Sequence, residues 1–228
     1  MSTYADLNIA IYNIKTNCTL TAEKRYELFD ELWPKTKYIQ SNYQRYLPIY
    51  FGKKFDKWWN PKKFNWKYSY LLSKHCTRHF DKWWDPKKFN WKHSHYLSKY
   101  SCNHIDKWWD AKNYRWYYSE YLPIYCAKSF DIWWNPTKYQ YTWAIGDLIR
   151  NCSEYFDKWW TVTFIDDYSY HCNELIRHCS KHIKKWWNIK LIKTGFNNRT
   201  FDMLTQYCSE YKDVWKNDIL LYKIENNI

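Results

Sequence analysis

The stretch Phe55-Asp56-Lys57-Trp58-Trp59-Asn60-Pro61-Lys62-Lys63-Phe64-Asn65-Trp66 returns almost unchanged from Phe80 to Trp91, and in weaker form along the rest of the chain. Aligned on the aromatic pair, units start at Phe29, Phe55, Phe80, Ile105, Phe130, Phe156, Ile183 and Tyr211. The period is 25 residues in the middle and stretches to 28 near the end. A fixed period of this size constrains the fold more than any local pattern. Each unit is one supersecondary element too small to cover its own apolar face, so neighbours must stack. The organisation expected is an N-terminal cap over 1–28, a repeat array over 29–210 and a C-terminal cap over 211–228. No separate second domain is expected.

In this alignment the second tryptophan of the pair recurs in every unit, and the first gives way to Leu32 and Val214 at the two ends. Trp59, Trp84, Trp109, Trp134, Trp160 and Trp187 are therefore the expected structural core, with the twin indoles of successive units packed on one another. Steps of four back from that tryptophan give Leu72, Cys76, Phe80 and Trp84, then Leu122, Cys126, Phe130 and Trp134, and likewise further on. Residues four apart share a helix face. A helix is expected from Ser73 to the tryptophan pair, its start marked in other units by Pro48 and Pro123. Asn60-Pro61, Asp85-Pro86 and Asn135-Pro136 pair a capping side chain with proline, which announces a helix start. A second helix is expected from Pro61 to about Leu71. The fold expected is all-α, an α-solenoid of about eight short helical hairpins. Phe64, Trp66, Tyr68 and Tyr70 alternate, so an α/β solenoid with one strand and one helix per repeat is the rival. Length changes in this segment favour helices, because a register-locked strand resists insertion.

Composition sharpens these expectations. Aromatic residues make up 23% of the chain, and glycine occurs only at Gly52, Gly146 and Gly195. Ordinary usage of roughly 7% would give about sixteen glycines, so hairpin-rich β folds are disfavoured. Residues Met1 to Ile14 do not read as a signal peptide, and no apolar run has the length of a membrane span. A cytoplasmic, reducing location and free thiols are expected.

Several groupings invite a chemical reading. His75, Cys76 and His79, then His178, Cys179 and His182, put imidazole and thiol at helical spacing. His93, His95, Cys102 and His104 lie one unit along from the first group. Zinc sites need four convergent ligands, usually announced by paired short spacings, and no CxxC occurs. Buried cysteines filling one core column are the plainer reading. Trp66, Trp91, Trp116 and Trp143 could line an aromatic cage, although core packing explains their recurrence. Asp30, Asp56, Asp81, Asp106, Asp131 and Asp157 recur beside lysines as a surface charge ladder. No phosphate loop or nucleophile motif appears. No enzyme activity, cofactor or metal is expected.

Charge is the most informative functional feature. The formal net charge is +13, and lysines recur in columns. Lys57, Lys82, Lys107 and Lys158 form one, Lys62, Lys87 and Lys112 another, with Lys63 and Lys88 beside it. Stacking would turn each column into a basic stripe that attracts acidic protein surfaces or phosphate backbones. An acidic protein partner is the first expectation and nucleic acid the alternative. The bland reading is a solubilising surface.

The segments FDKWWNPKKFNWKYSYLLSKHC and FDKWWDPKKFNWKHSHYLSKY resemble the aromatic DKWWDP-type repeat proteins that giant DNA viruses of the mimivirus kind carry in many copies. The likeness is close over 55–134 and loosens over 135–215. The resemblance implies expression in the cytoplasm of an infected host and a repeat scaffold without an assigned activity. It brings no catalytic residues.

Overall fold

The structure, a computed structural model, describes residues 13, 19–33, 43–139, 144–160, 171–188 and 198–226. Among them no strand occurs, and the fold is all-α. The chain divides into two compact units, Met1–Arg115 and Trp116–Ile228. Most of the expected N-terminal cap, Trp143, and residues 161–170 and 189–197 lie outside the described residues.

One repeat shows how local sequence sets the path. Phe80–Trp83 makes a single helical turn, and Trp84 leaves it extended (φ −65°, ψ 123°). Asp85 then organises a tight turn. Its carbonyl accepts from the Lys88 and Phe89 amides at 3.1 and 2.9 Å, and its side chain accepts from the Lys87 amide at 3.0 Å. Asn90, at φ −80° and ψ 89°, stops that turn from propagating. The Asn90 side chain instead caps a short 3-10 helix, Trp91–His93. The helix His95–Tyr100 follows and ends at Ser101 (φ −127°, ψ 26°). A 3-10 turn, Cys102–His104, leads to the next single turn, Ile105–Trp108.

Two expectations are corrected here. The helix from Pro61 to about Leu71 does not form, and neither does the rival strand. Asn60 starts one turn, as capping chemistry demands, but Asn65 is extended (φ −81°, ψ 101°) and only a 3-10 turn, Trp66–Tyr68, follows. The helix expected from Ser73 to Trp84 begins earlier, as Ser69–His75, and breaks at Cys76 (φ −125°, ψ 27°). The cause of the break is the first tryptophan. In an unbroken helix the Cys76 carbonyl would accept from the amide four residues on. Here it accepts from the His79 amide at 2.9 Å and from Trp83 Nε1 at 3.0 Å. The indole thus satisfies a carbonyl that a helix end leaves orphaned. Pro48 and Pro123 sit third in Tyr46–Phe51 and Tyr121–Cys126, within the first turn that tolerates them.

The same bond recurs at each break. Trp58, Trp108, Trp133, Trp159, Trp186 and Trp215 donate to the carbonyls of Phe51, Ser101, Cys126, Cys152, Cys179 and Cys208, each seven residues back. Trp215 therefore belongs to the first tryptophan column. The last unit starts at Lys212 rather than Tyr211, which puts Cys208 in the same column as Cys76. Within the first unit, Tyr46–Phe51, Ser69–His75 and His95–Tyr100 pack in succession. Within the second, Tyr121–Cys126, Ile145–Asn151, Cys172–His178 and Asn198–Tyr207 do the same.

The two tryptophan columns are not equivalent. The first is the core: Trp83, Trp108 and Trp133 are 1% exposed and Trp159 is fully buried. The second, Trp59, Trp84, Trp109, Trp134, Trp160 and Trp187, is only half-buried. Its role is to join repeats. Trp33, Trp59 and Trp84 donate to the carbonyls of Lys57, Lys82 and Lys107 in the following repeat, at 2.9, 3.2 and 3.2 Å. Phe55, Phe80, Phe130 and Phe156 complete the core. Each stacks on its own second tryptophan and on the ring that closes its own repeat just before the next unit starts, respectively His79, His104, Tyr155 and His182.

Candidate interaction surface

Lysines on this surface fall into two populations that the sequence columns do not distinguish. In the first, five of the six aspartates bond a lysine of the following repeat, and the place that would serve Asp106 is taken by Ile132. Lys57 reaches Asp30, Lys82 reaches Asp56 and Lys107 reaches Asp81 at 2.7, 2.7 and 2.6 Å. Lys158 reaches Asp131 at 2.5 Å and Lys185 reaches Asp157 at 2.6 Å. The Lys82 ammonium bonded to Asp56 holds its carboxyl below the usual range, and Lys107 and Lys185 do the same for Asp81 and Asp157. With Lys82 and Asp56 58% and 63% exposed, such a pair contributes little stability. It does neutralise the column: Lys57, Lys82, Lys107 and Lys158 are rungs of a ladder, with little net positive charge to offer a partner.

The second population sits on the turns. Lys62, Lys87 and Lys112 follow the capping Asn60, Asp85 and Asp110, whose side chains accept from their amides at 3.0, 3.0 and 2.9 Å. All three lysines are exposed, and no ion pair engages them among the described residues. Lys67 and Lys92, also exposed, follow Trp66 and Trp91. Trp66 Nε1 donates to the Pro61 carbonyl at 3.1 Å and Trp91 Nε1 to the Pro86 carbonyl at 3.0 Å. Each loop is thereby closed into a ring with a lysine on either side of a half-buried indole. Those indoles lean edge-on against Trp59 and Trp84, with centroids 5.8 and 5.9 Å apart. Lys88 is spent locally, paired with Asp85 at 3.2 Å and lying 5.4 Å from the Trp66 ring centre.

The backbone of these loops is tethered to the preceding repeat. The Asn65 amide donates to Gln44 Oε1, the Asn90 amide to Ser69 Oγ and the Arg115 amide to Ser94 Oγ, at 2.5, 2.9 and 3.0 Å. Sequence reasoning missed this column. Its signal was present: Ser69, Ser94 and Ser119 recur at the 25-residue period but are fully buried, and a buried hydroxyl needs a partner.

The histidine and cysteine groupings do not converge. No group of three or more His, Cys, Asp or Glu among the described residues is placed to hold a metal. Cys76 points into the core while His79 is stacked on Phe55. The seven described cysteines are free, and burial pushes the thiols of Cys76, Cys152, Cys179 and Cys208 up to about 12. They act as small apolar core residues.

Net charge is divided unevenly. Residues 1–115 hold 22 Lys and Arg against 10 Asp and Glu, a balance of +12, while residues 116–228 hold 14 against 13, or +1. No described helix is long and apolar enough to cross a membrane. Comparison with protein-family models, with curated proteins and with solved structures finds no match.

Proposed function

We propose that this chain is a non-enzymatic repeat scaffold that binds an acidic protein through the lysine-bearing turns of its first unit. Helices stacked in sequence order within each unit support reading each as a stretch of α-solenoid. The family resemblance supports a host-cytoplasmic setting. One observation carries the reading: the ladder lysines are neutralised by aspartates, whereas Lys62, Lys87 and Lys112 stand exposed on a half of the chain that holds almost all the excess charge.

Nucleic acid is the second reading, favoured by the half-buried Trp66 and Trp91 beside lysines, since single-strand binders stack bases on such rings. Against it, both indoles lean on a neighbouring tryptophan, and the Lys88 ammonium lies near the Trp66 ring. Titration of the purified chain with an acidic protein domain and with generic single-stranded RNA, each at several salt concentrations, separates the two. Expected is binding to the acidic protein that Lys62→Glu with Lys87→Glu and Lys112→Glu weakens about tenfold, roughly 1.4 kcal/mol. Tight, steeply salt-dependent binding to RNA alone would reverse the assignment.

A further inference from the structure

We infer that the turn face of the first unit takes an extended acidic segment in the polyproline II conformation, with a carboxylate at every third residue. This rests on the acidic-partner reading above and says which kind of acidic partner fits.

The loops are rigid frames. The indole-to-proline carbonyl bonds close Pro61–Trp66 and Pro86–Trp91, and the bonds to Gln44 Oε1, Ser69 Oγ and Ser94 Oγ fix each loop on the repeat before it. Lys62, Lys87 and Lys112 therefore advance by one repeat at a time. Taking the about 8–10 Å separation of packed helical elements as the rise per repeat, successive lysines are about that far apart. Polyproline II advances about 3.1 Å per residue with three residues per turn, so side chains return to one edge every ~9.3 Å. A β-strand returns them every ~6.6 Å and so misses the second lysine by about 3 Å. Recognition of polyproline II also uses aromatic surfaces against which proline rings lie. Trp66 and Trp91 supply half-buried indoles between successive lysines. The complementary ligand has acidic residues at i, i+3 and i+6 and proline or small residues between them.

The test uses the full chain and three fluorescently labelled fifteen-residue peptides of one composition (glutamate, proline, serine), with binding read by anisotropy. In one peptide glutamate occurs at every third position, in another at alternating positions, and in the last as a single block. Expected is at least tenfold tighter binding of the every-third peptide. Lys62→Gln with Lys87→Gln and Lys112→Gln should abolish the preference, while Lys82→Gln with Lys107→Gln should preserve it. Trp91→Ala should weaken the every-third peptide severalfold and leave the block peptide unchanged. Circular dichroism checks that each variant keeps its helical signal. Equal binding of all three peptides overturns the spacing inference yet leaves the acidic-partner reading standing. Binding of none of them, with tight binding of a single-stranded oligonucleotide, overturns both.

Discussion

The two compact units have cores of the same kind and differ in what they place on their outer helical surfaces. In the first, Tyr70, His93, His95 and Tyr96 pack ring to ring, with Tyr70 4.5 Å from His93 and His95 4.6 Å from Tyr96. In the second, the same stretch of the repeat carries Glu120, Asp147 and Glu174. Arg150 spans the last two at 2.7 and 3.8 Å, and His178 approaches Glu174 at 3.4 Å. Inside, nothing comparable changes. The buried indole and the carbonyl seven residues back recur on both sides of the boundary. The inner columns are dictated by packing, so surface columns are where the halves can be specialised.

That contrast can be broken most forcefully at its shared part. Trp83→Ala in the first unit and Trp159→Ala in the second should each cost about 3–5 kcal/mol of stability in urea unfolding. A loss below about 1 kcal/mol at either site would show that the halves do not rest on one kind of core. Trp84→Phe, which keeps a ring against Phe80 but removes the link to the next repeat, should cost about 1 kcal/mol. Next in size comes the charged network: Arg150→Ala should cost about 1 kcal/mol, because a half-exposed cation pairing two carboxylates is screened by solvent. The same measurement on Lys62→Ala should show no change.

The pH dependence sharpens the contrast further. Burial lowers the values of His75 and His93 and brings His95 down to about 4. Between about 6.5 and 4 the unfolded chain therefore binds more protons than the folded one, and stability rises with pH across that window. The urea midpoint should fall from pH 7 to pH 5, and His95→Gln should flatten the slope. A midpoint independent of pH over this range would contradict the burial of these rings. The smallest effect belongs to the exposed ladder. Asp56→Asn should leave the unfolding midpoint unchanged at neutral pH, since Asp56 and Lys82 gain little from pairing in water.

Much of this was legible in the sequence, for reasons that particular residues show. The period marked the repeats, and the leucine, cysteine and phenylalanine steps marked the buried helical face. What misled was that spacing of four records which residues share a face, not whether the backbone between them is continuous. The break at Cys76 depends on a bond from Trp83 to a carbonyl, and backbone acceptors leave no letter in a sequence. For the same reason the sequence points to the second tryptophan as the core, although the first is the buried one: their difference lies in which carbonyl each meets. The Asn-Pro signal correctly gave the start of a turn but could not say that Asn65 would end it. Basic columns were visible as well. Which of them was neutralised could not be read, because the paired aspartates meet a lysine about a repeat further on rather than the one beside them.

The link through the second tryptophan has an evolutionary corollary. For Trp33, Trp59 and Trp84 the acceptor is a main-chain oxygen, which every amino acid provides, so this one bond of the joint is indifferent to what side chain comes next. Excising residues 80–104 in frame would hand Trp59 the Lys107 carbonyl in place of that of Lys82, and Asp56 would find Lys107 waiting. A gene encoding such a chain can gain or lose whole modules by recombination and still yield a protein whose seams close.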